Sequence, residues 1–103
     1  MEKEVVFEKH ADKEFQTFDR EVQKEFLEII KVLEKYGRLE LPEAKKIDRN
    51  LFEMRVSHQG AYRGFYAYIS NQRIVILHFF QKKTQKTPLQ NLELAKRRLL
   101  TYE

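Results

Sequence analysis

The chain has 103 residues, of which 42% are hydrophobic and 35% are charged. This length predicts one domain spanning residues 1–103, and the hydrophobic fraction is that of a folded globular protein rather than a disordered chain. The lack of cysteine excludes a disulfide framework and a thiolate zinc site. The N-terminal sequence lacks the apolar stretch of a signal peptide, and no apolar run approaches the roughly 20 residues of a membrane span. We therefore expect a cytoplasmic protein without a membrane partner.

The net charge of +4 is unevenly distributed along the chain. Residues 1–40 contain 8 basic and 11 acidic side chains, a net of −3, whereas residues 41–103 contain 12 basic and 5 acidic side chains, a net of +7. A basic half favours a polyanionic partner, most simply a nucleic acid. The alternative is a solvated surface that binds no polyanion.

The first part of the chain has the apolar spacing of helices after one short strand. Val5–Phe7 is apolar between charged residues and predicts the strand. Apolar residues at helical spacing predict a short helix over Ala11–Phe18 and a longer one that contains Val22–Leu33. Asp19 is a candidate N-cap of the longer helix, and Gly37 is a candidate for the left-handed residue that ends it. Together the two helices predict a helical hairpin.

The apolar period then changes from about 3.6 residues to 2, which indicates strands. Alternation over Leu51–Ser57 and the Tyr/Phe-rich segment Ala61–Ile69 predict a β-hairpin with His58–Gly60 in its turn. Arg73–Phe80 is almost continuously apolar, as expected for a central strand covered on both faces. Ala44–Asp48 is a candidate for a further short strand.

A final helix is predicted from the T-P-L-Q sequence onward. Thr87 is the expected N-cap, Pro88 the first helical residue and Gln90 the third, and an apolar stripe continues to the C-terminus. The predicted order of elements is βααββββα. This order is typical of an α+β domain, here an N-terminal helical hairpin packed on a twisted antiparallel sheet with a C-terminal helix.

Most sequence patterns of catalytic sites are missing. The chain contains no glycine-rich phosphate loop and no G-x-S-x-G motif. Its three histidines, His10, His58 and His78, are far apart in sequence, so no metal site is expected. Because His78 lies within an apolar strand, we interpret it as a hydrogen-bonded residue of the sheet.

What remains is a group of cationic side chains. Arg55 and Arg63 share a face of the predicted hairpin if its turn holds an odd number of residues, as a three-residue turn would. Lys82, Lys83 and Lys86 follow the end of the next strand. Such a cluster repels itself unless an anion neutralises it, and RNA phosphate is a natural candidate. The alternative is that the lysines belong to a solvated loop or protect an apolar strand from aggregation.

The segments L-F-E-M-R-V-S, Y-R-G-F-Y-A-Y and R-I-V-I-L-H-F-F-Q-K-K-T-Q-K-T-P, with the A-K-R-R-L helix, resemble the RelE/HigB family of toxins. The resemblance covers almost the whole chain and is closest to the phage-derived, HigB-like branch of these type II toxin–antitoxin modules. It implies a microbial-RNase-like α+β fold and cleavage of messenger RNA on the translating ribosome without a cofactor or metal. It also implies neutralisation by an antitoxin, often a helix-turn-helix protein, in a hetero-oligomer.

The resemblance also implies roles for particular residues. Arg55 and Arg63 would clamp the scissile phosphate, and Lys82 or Lys83 would stabilise charge or protonate the leaving oxygen. Expected RNA contacts are Lys86, Thr84, His58 and Arg73.

The chain departs from RelE itself at two places. Glu53 occupies a position that is commonly basic there, and residues 84–94 contain no tyrosine. Glu53 is therefore either a general base or a structural partner of Arg55. Two other functions remain open, a ParE-like toxin that inhibits DNA gyrase without catalysis and a small nucleic-acid-binding module.

Overall fold

The structure, a computed structural model, describes residues 2–40, 42, 44–86 and 88–103. The described elements follow the predicted order βααββββα. The helices are α1 (Lys9–Gln16), α2 (Arg20–Tyr36) and α3 (Leu89–Leu99), and a short 3-10 turn (Leu100–Tyr102) follows α3. The strands are β1 (Glu4–Phe7), β2 (Ala44–Asp48), β3 (Leu51–Ser57), β4 (Ala61–Tyr68) and β5 (Arg73–Lys82). No helix among the described residues has the length and apolar character needed to cross a membrane.

The boundaries of α2 agree with the sequence prediction. Its apolar stripe is buried, and Asp19 occupies the N-cap position. Gly37 ends the helix in the left-handed conformation, with φ of 78°, and its N–H donates to the Leu33 carbonyl at 2.8 Å. Glycine reaches this conformation without the steric cost that a Cβ atom imposes, so the stop at Gly37 is encoded locally.

The two other helices begin at residues that the sequence prediction did not give. α1 begins at Lys9 because the Glu8 carboxylate accepts hydrogen bonds from the backbone N–H groups of His10 (2.7 Å) and Ala11 (2.8 Å). Glutamate is not among the preferred N-cap residues, so this start has no strong sequence signal. α3 begins one residue later than predicted, because Pro88 is extended, with ψ of 135°, and serves as the N-cap. The predicted cap Thr87 lies outside the described residues.

The five strands form one sheet in the order β1-β5-β4-β3-β2. The strands β2 to β5 pair with one another in antiparallel fashion, as predicted, but β1 is parallel to β5. The sheet is therefore mixed, a correction to the fully antiparallel prediction. A long connection of two helices and three strands separates β1 from β5, as a parallel pair requires. The short strand β2, expected at Ala44–Asp48, is confirmed.

Helices cover both faces of this sheet. Side chains of α1 and α2 pack on one face in a core that includes Phe15, Phe26 and Phe79. Ala95 and Leu99 of α3 pack on the other face. The α+β class is thus confirmed with α3 opposite the N-terminal helices. β5 lies between β1 and β4, and helices cover it on both faces of the sheet. Residues 74–80 are therefore all buried, as predicted for a central strand.

The hairpin of β3 and β4 positions the candidate site. Its turn contains the three predicted residues His58–Gly60, with positive φ at Gln59 (52°) and Gly60 (148°). The turn holds an odd number of residues, so side chains with the same parity on the two strands lie on the same face. β4 ends at Tyr68 rather than Ile69, and β5 continues to Lys82 rather than ending at Phe80.

Candidate functional site

Arg55 on β3 and Arg63 on β4 are direct cross-strand partners. They lie on the sheet face that packs against α3, because Leu51, four residues before Arg55 on β3, belongs to that core. Directly opposed cations destabilise a strand pair unless a counter-charge is near. The two arginines share a face, as expected for an odd turn, and their direct opposition requires compensation.

Glu53 supplies that compensation from the same face. Its side chain is only 1% exposed, and Oε1 lies 3.1 Å from Nε of Arg55 and 3.6 Å from Nε of Arg63. The first distance is a hydrogen bond and the second an ion pair too long for one. A buried carboxylate is stable only with such partners, so one carboxylate holds both guanidinium groups.

Arg63 is the more buried of the two arginines. Its side chain is 13% exposed, and that of Arg55 is 32% exposed. Nε of Arg63 is buried without a hydrogen-bond partner in the described residues, and Nη1 donates to the Tyr62 carbonyl at 2.9 Å. Burial lowers the pKa of Arg63, Glu53 opposes that change, and the charge of Arg55 lowers the pKa further. A desolvated guanidinium of this kind gains strongly from an anion that meets its remaining N–H groups.

Lys82 adds a third cation, on β5, to the sheet face that holds Arg55 and Arg63; we call these three residues the cationic face. Arg63 is opposite Phe80, and Lys82 lies two residues beyond Phe80, opposite Ala61. Lys82 is therefore a diagonal neighbour of Arg63 on the same face, roughly 7–8 Å away along the sheet. Three cations from three adjacent strands thus share one face, and Glu53 pairs with the two arginines among them.

The other predicted cations and polar residues are placed differently. Lys83, Thr84 and Lys86 are exposed in the loop after β5, where the Thr84 hydroxyl donates to the Lys86 carbonyl at 2.6 Å. His58 lies in the hairpin turn, with Nδ1 3.6 Å from Oε2 of Glu25 on α2. Arg73 is the first residue of β5 and donates a hydrogen bond to Glu4 at 2.9 Å. Because Lys82 is the last residue of β5, about 30 Å of strand separates the two residues. Arg73 is therefore not brought into the cluster.

A second polar group, not recognised in the sequence, centres on Glu14 of α1. Oε1 of Glu14 accepts from the Phe79 N–H at 3.1 Å and lies 2.9 Å from Nδ1 of His78. Arg98 of α3 meets both carboxylate oxygens at 3.0 Å and donates to the Leu77 carbonyl at 2.8 Å. Burial would raise the pKa of Glu14, but hydrogen bonds from His78, Arg98 and the Phe79 amide outweigh it and lower the pKa from 4.5 to about 2.

This group closes the outer edge of β5. Pairing with β1 ends at Ile76, and the backbone groups of Leu77 and Phe79 then bond to Arg98 and Glu14 instead. The interpretation of His78 as a hydrogen-bonded sheet residue is confirmed, with Asn91 of α3 at 2.6 Å from its Nε2. The sequence indicated only that His78 lies in a strand. It did not indicate the partners of His78, because these come from distant helices. Among the described residues, no three His, Cys, Asp or Glu side chains are grouped so that they could hold a metal ion.

The family model for the phage-derived Gp49-like proteins (DUF891) matches residues 13–100, which include every residue of the cationic face. The chain belongs to the Gp49-like family. This family is RelE/HigB-like and is found in a toxin–antitoxin context, so an antitoxin is the partner that membership suggests. A search of curated proteins gave no match to the chain.

Proposed function

We propose that this Gp49-like protein is the toxin of a type II toxin–antitoxin system that cleaves translated messenger RNA on the ribosome. A cognate antitoxin, a helix-turn-helix protein in this proposal, neutralises it in a hetero-oligomer. The observation that carries the proposal is the opposition of Arg55 and Arg63, with Lys82 diagonal to Arg63 on the next strand. Three cations on three strands form a rigid surface that suits a phosphodiester.

The proposed reaction is an intramolecular transesterification. The 2′-oxygen of one nucleotide attacks the adjacent phosphorus, the bond from phosphorus to the 5′-oxygen breaks, and a 2′,3′-cyclic phosphate forms. The 2′-hydroxyl proton leaves to a general base, and the departing 5′-oxygen takes a proton. Negative charge increases on the phosphorane oxygens during this step, which is where fixed cations contribute most.

Each cation has a part in this reaction. Arg55 and Arg63 hold the non-bridging oxygens, because a guanidinium offers several N–H donors in a fixed plane. Lys82 stabilises or protonates the leaving oxygen from the end of β5. Lys83, Lys86 and Thr84 lie in the exposed loop, where they contact the RNA backbone on either side of the cleavage site.

The test is to induce the protein briefly in cells and to map new 5′ ends on messenger RNA. Arg63→Ala is the test variant, and Arg20→Ala is the matched control because Arg20 is exposed on α2, outside the cluster. We expect cuts within translated frames for the wild type and the control and none for Arg63→Ala. Growth arrest with intact messages would instead indicate a bound target such as gyrase. If the cells show no growth arrest and the messages show no new cuts, the toxin proposal is contradicted.

A further inference from the structure

Glu53 is a carboxylate at the centre of a cationic surface. It is 1% exposed and lies on β3 between the α3 core and the arginine pair. One of its oxygens approaches Nε of both arginines, at 3.1 Å and 3.6 Å. One carboxylate oxygen thus meets the same atom of two side chains that lie on different strands.

We infer that Glu53 is a positioning residue that fixes the direction of both guanidinium groups. Glu53 meets Arg55 through a hydrogen bond to Nε and Arg63 through an ion pair at Nε, so its contacts with both groups are at Nε rather than at the terminal nitrogens. Nη1 of Arg63 is further fixed by the Tyr62 carbonyl. Two guanidinium groups held in this way meet the two non-bridging oxygens of one phosphodiester, one oxygen for each arginine.

The same geometry argues against proton transfer to Glu53. Oε1 already accepts from Arg55, and a proton on the carboxylate would remove the charge that holds two opposed cations together. Its 1% exposure also leaves little access for a substrate hydroxyl. Of the two roles that the sequence left open for Glu53, the structure favours the partner of the arginines, and it extends that role from Arg55 alone to both residues.

The first test of this inference does not depend on RNA cleavage. In ¹⁵N NMR spectra of the wild type, the Nε–H groups of Arg55 and Arg63 should exchange slowly with water and shift when inorganic phosphate is added. Glu53→Ala removes the acceptor and the charge, whereas Glu53→Gln keeps an acceptor oxygen. We expect the Arg55 signal, whose Nε–H is hydrogen-bonded to Glu53, to lose protection in Glu53→Ala and to keep part of it in Glu53→Gln. The Arg63 signal, whose Nε is only ion-paired with Glu53, should shift in both variants, with Glu21→Gln as an exposed control. Unchanged arginine signals in a folded Glu53→Ala protein would overturn the inference.

The second test rests on the proposed ribonuclease activity. Misplaced arginines should lower kcat by about 100-fold in Glu53→Ala, and Glu53→Gln should partly restore it in step with its arginine signals. Affinity for a non-cleavable 2′-O-methyl RNA should not weaken, since each variant removes a negative charge. If Glu53→Gln is as inactive as Glu53→Ala while its arginine signals stay like those of the wild type, Glu53 is a base and the inference fails. If the wild type cleaves no RNA, the proposed function fails, and the NMR result still decides the role of Glu53.

Discussion

Arg98 of α3 meets Glu14 of α1 through two parallel contacts, Nη1 to Oε1 and Nη2 to Oε2, each 3.0 Å long. The two residues are 84 positions apart, so the contact joins the two ends of the sequence. Arg98 is 13% exposed and Glu14 26% exposed at the side chain. Because the pair also bonds to the backbone of β5, it holds two helices against the same strand.

The low pKa of Glu14 predicts that this pair stabilises the fold in a pH-dependent way. The pKa is about 2 in the folded protein against 4.5 for the free group, so the stabilisation is present above pH 4.5 and is lost as the pH falls towards 2. Partial exposure reduces the effect, which we expect to be on the order of 2 kcal/mol. Urea unfolding at several pH values should show a smaller acid-induced loss in Glu14→Gln than in the wild type. Glu21→Gln, exposed on α2, is the control, and identical acid profiles for Glu14→Gln and the wild type would contradict the prediction.

Arg98→Lys should destabilise the protein although it conserves the charge. A lysine ammonium cannot make the two parallel contacts and the Leu77 bond together, and a partly satisfied buried pair is costly. We expect a loss of about 2 kcal/mol in the free energy of unfolding, measured by urea denaturation. The matched control is Arg97→Lys, the exposed neighbour on α3, which should leave stability unchanged. Equal stability of the two variants would show that only charge matters at position 98.

The sequence predicted those features that depend on local pattern. Alternation along Leu51–Ser57 and a turn closed by Gly60 set the hairpin, and an odd turn length predicts that Arg55 and Arg63 share a face, whereas their direct opposition comes from the strand register. Helical spacing and Gly37 likewise set α2. In each case the information lies within a few residues of the feature that it determines.

Features that depend on distant contacts were not predictable in this way. The parallel pairing of β1 and the position of α3 on the opposite face result from packing of the whole chain. The Glu14–Arg98 contact joins residues that no periodicity relates. The sequence left Glu53 as either a general base or a partner of Arg55, and its contact with Arg63 depends on the strand register as well as on the sequence.

Gly64→Ala should destabilise the sheet beneath the arginine pair. A Cβ atom at Gly64 would lie 3.0 Å from Cε1 of Phe79 and 3.2 Å from Cγ of Met54. Both neighbours are buried, so they have little room to move, and overpacking of this kind costs about 1–3 kcal/mol. Urea unfolding should show this loss, and a variant as stable as the wild type would mean that the core around Phe79 adjusts freely.

Lys82→Ala should reduce RNA cleavage far more than Lys83→Ala does. Lys82 is the last residue of β5 and a diagonal neighbour of Arg63, whereas Lys83 lies beyond the strand and is exposed. A cation fixed by the sheet near the reacting phosphate stabilises developing charge, and loss of one such group costs about 100-fold in kcat. A mobile lysine contributes mainly to non-specific affinity, so Lys83→Ala should weaken RNA binding in a salt-dependent way with a small effect on kcat.

Single-turnover cleavage of a translated message on purified ribosomes measures both effects, with Lys31→Ala on α2 as the control. Equal losses for Lys82→Ala and Lys83→Ala would mean that the position of Lys82 in the sheet does not determine its contribution.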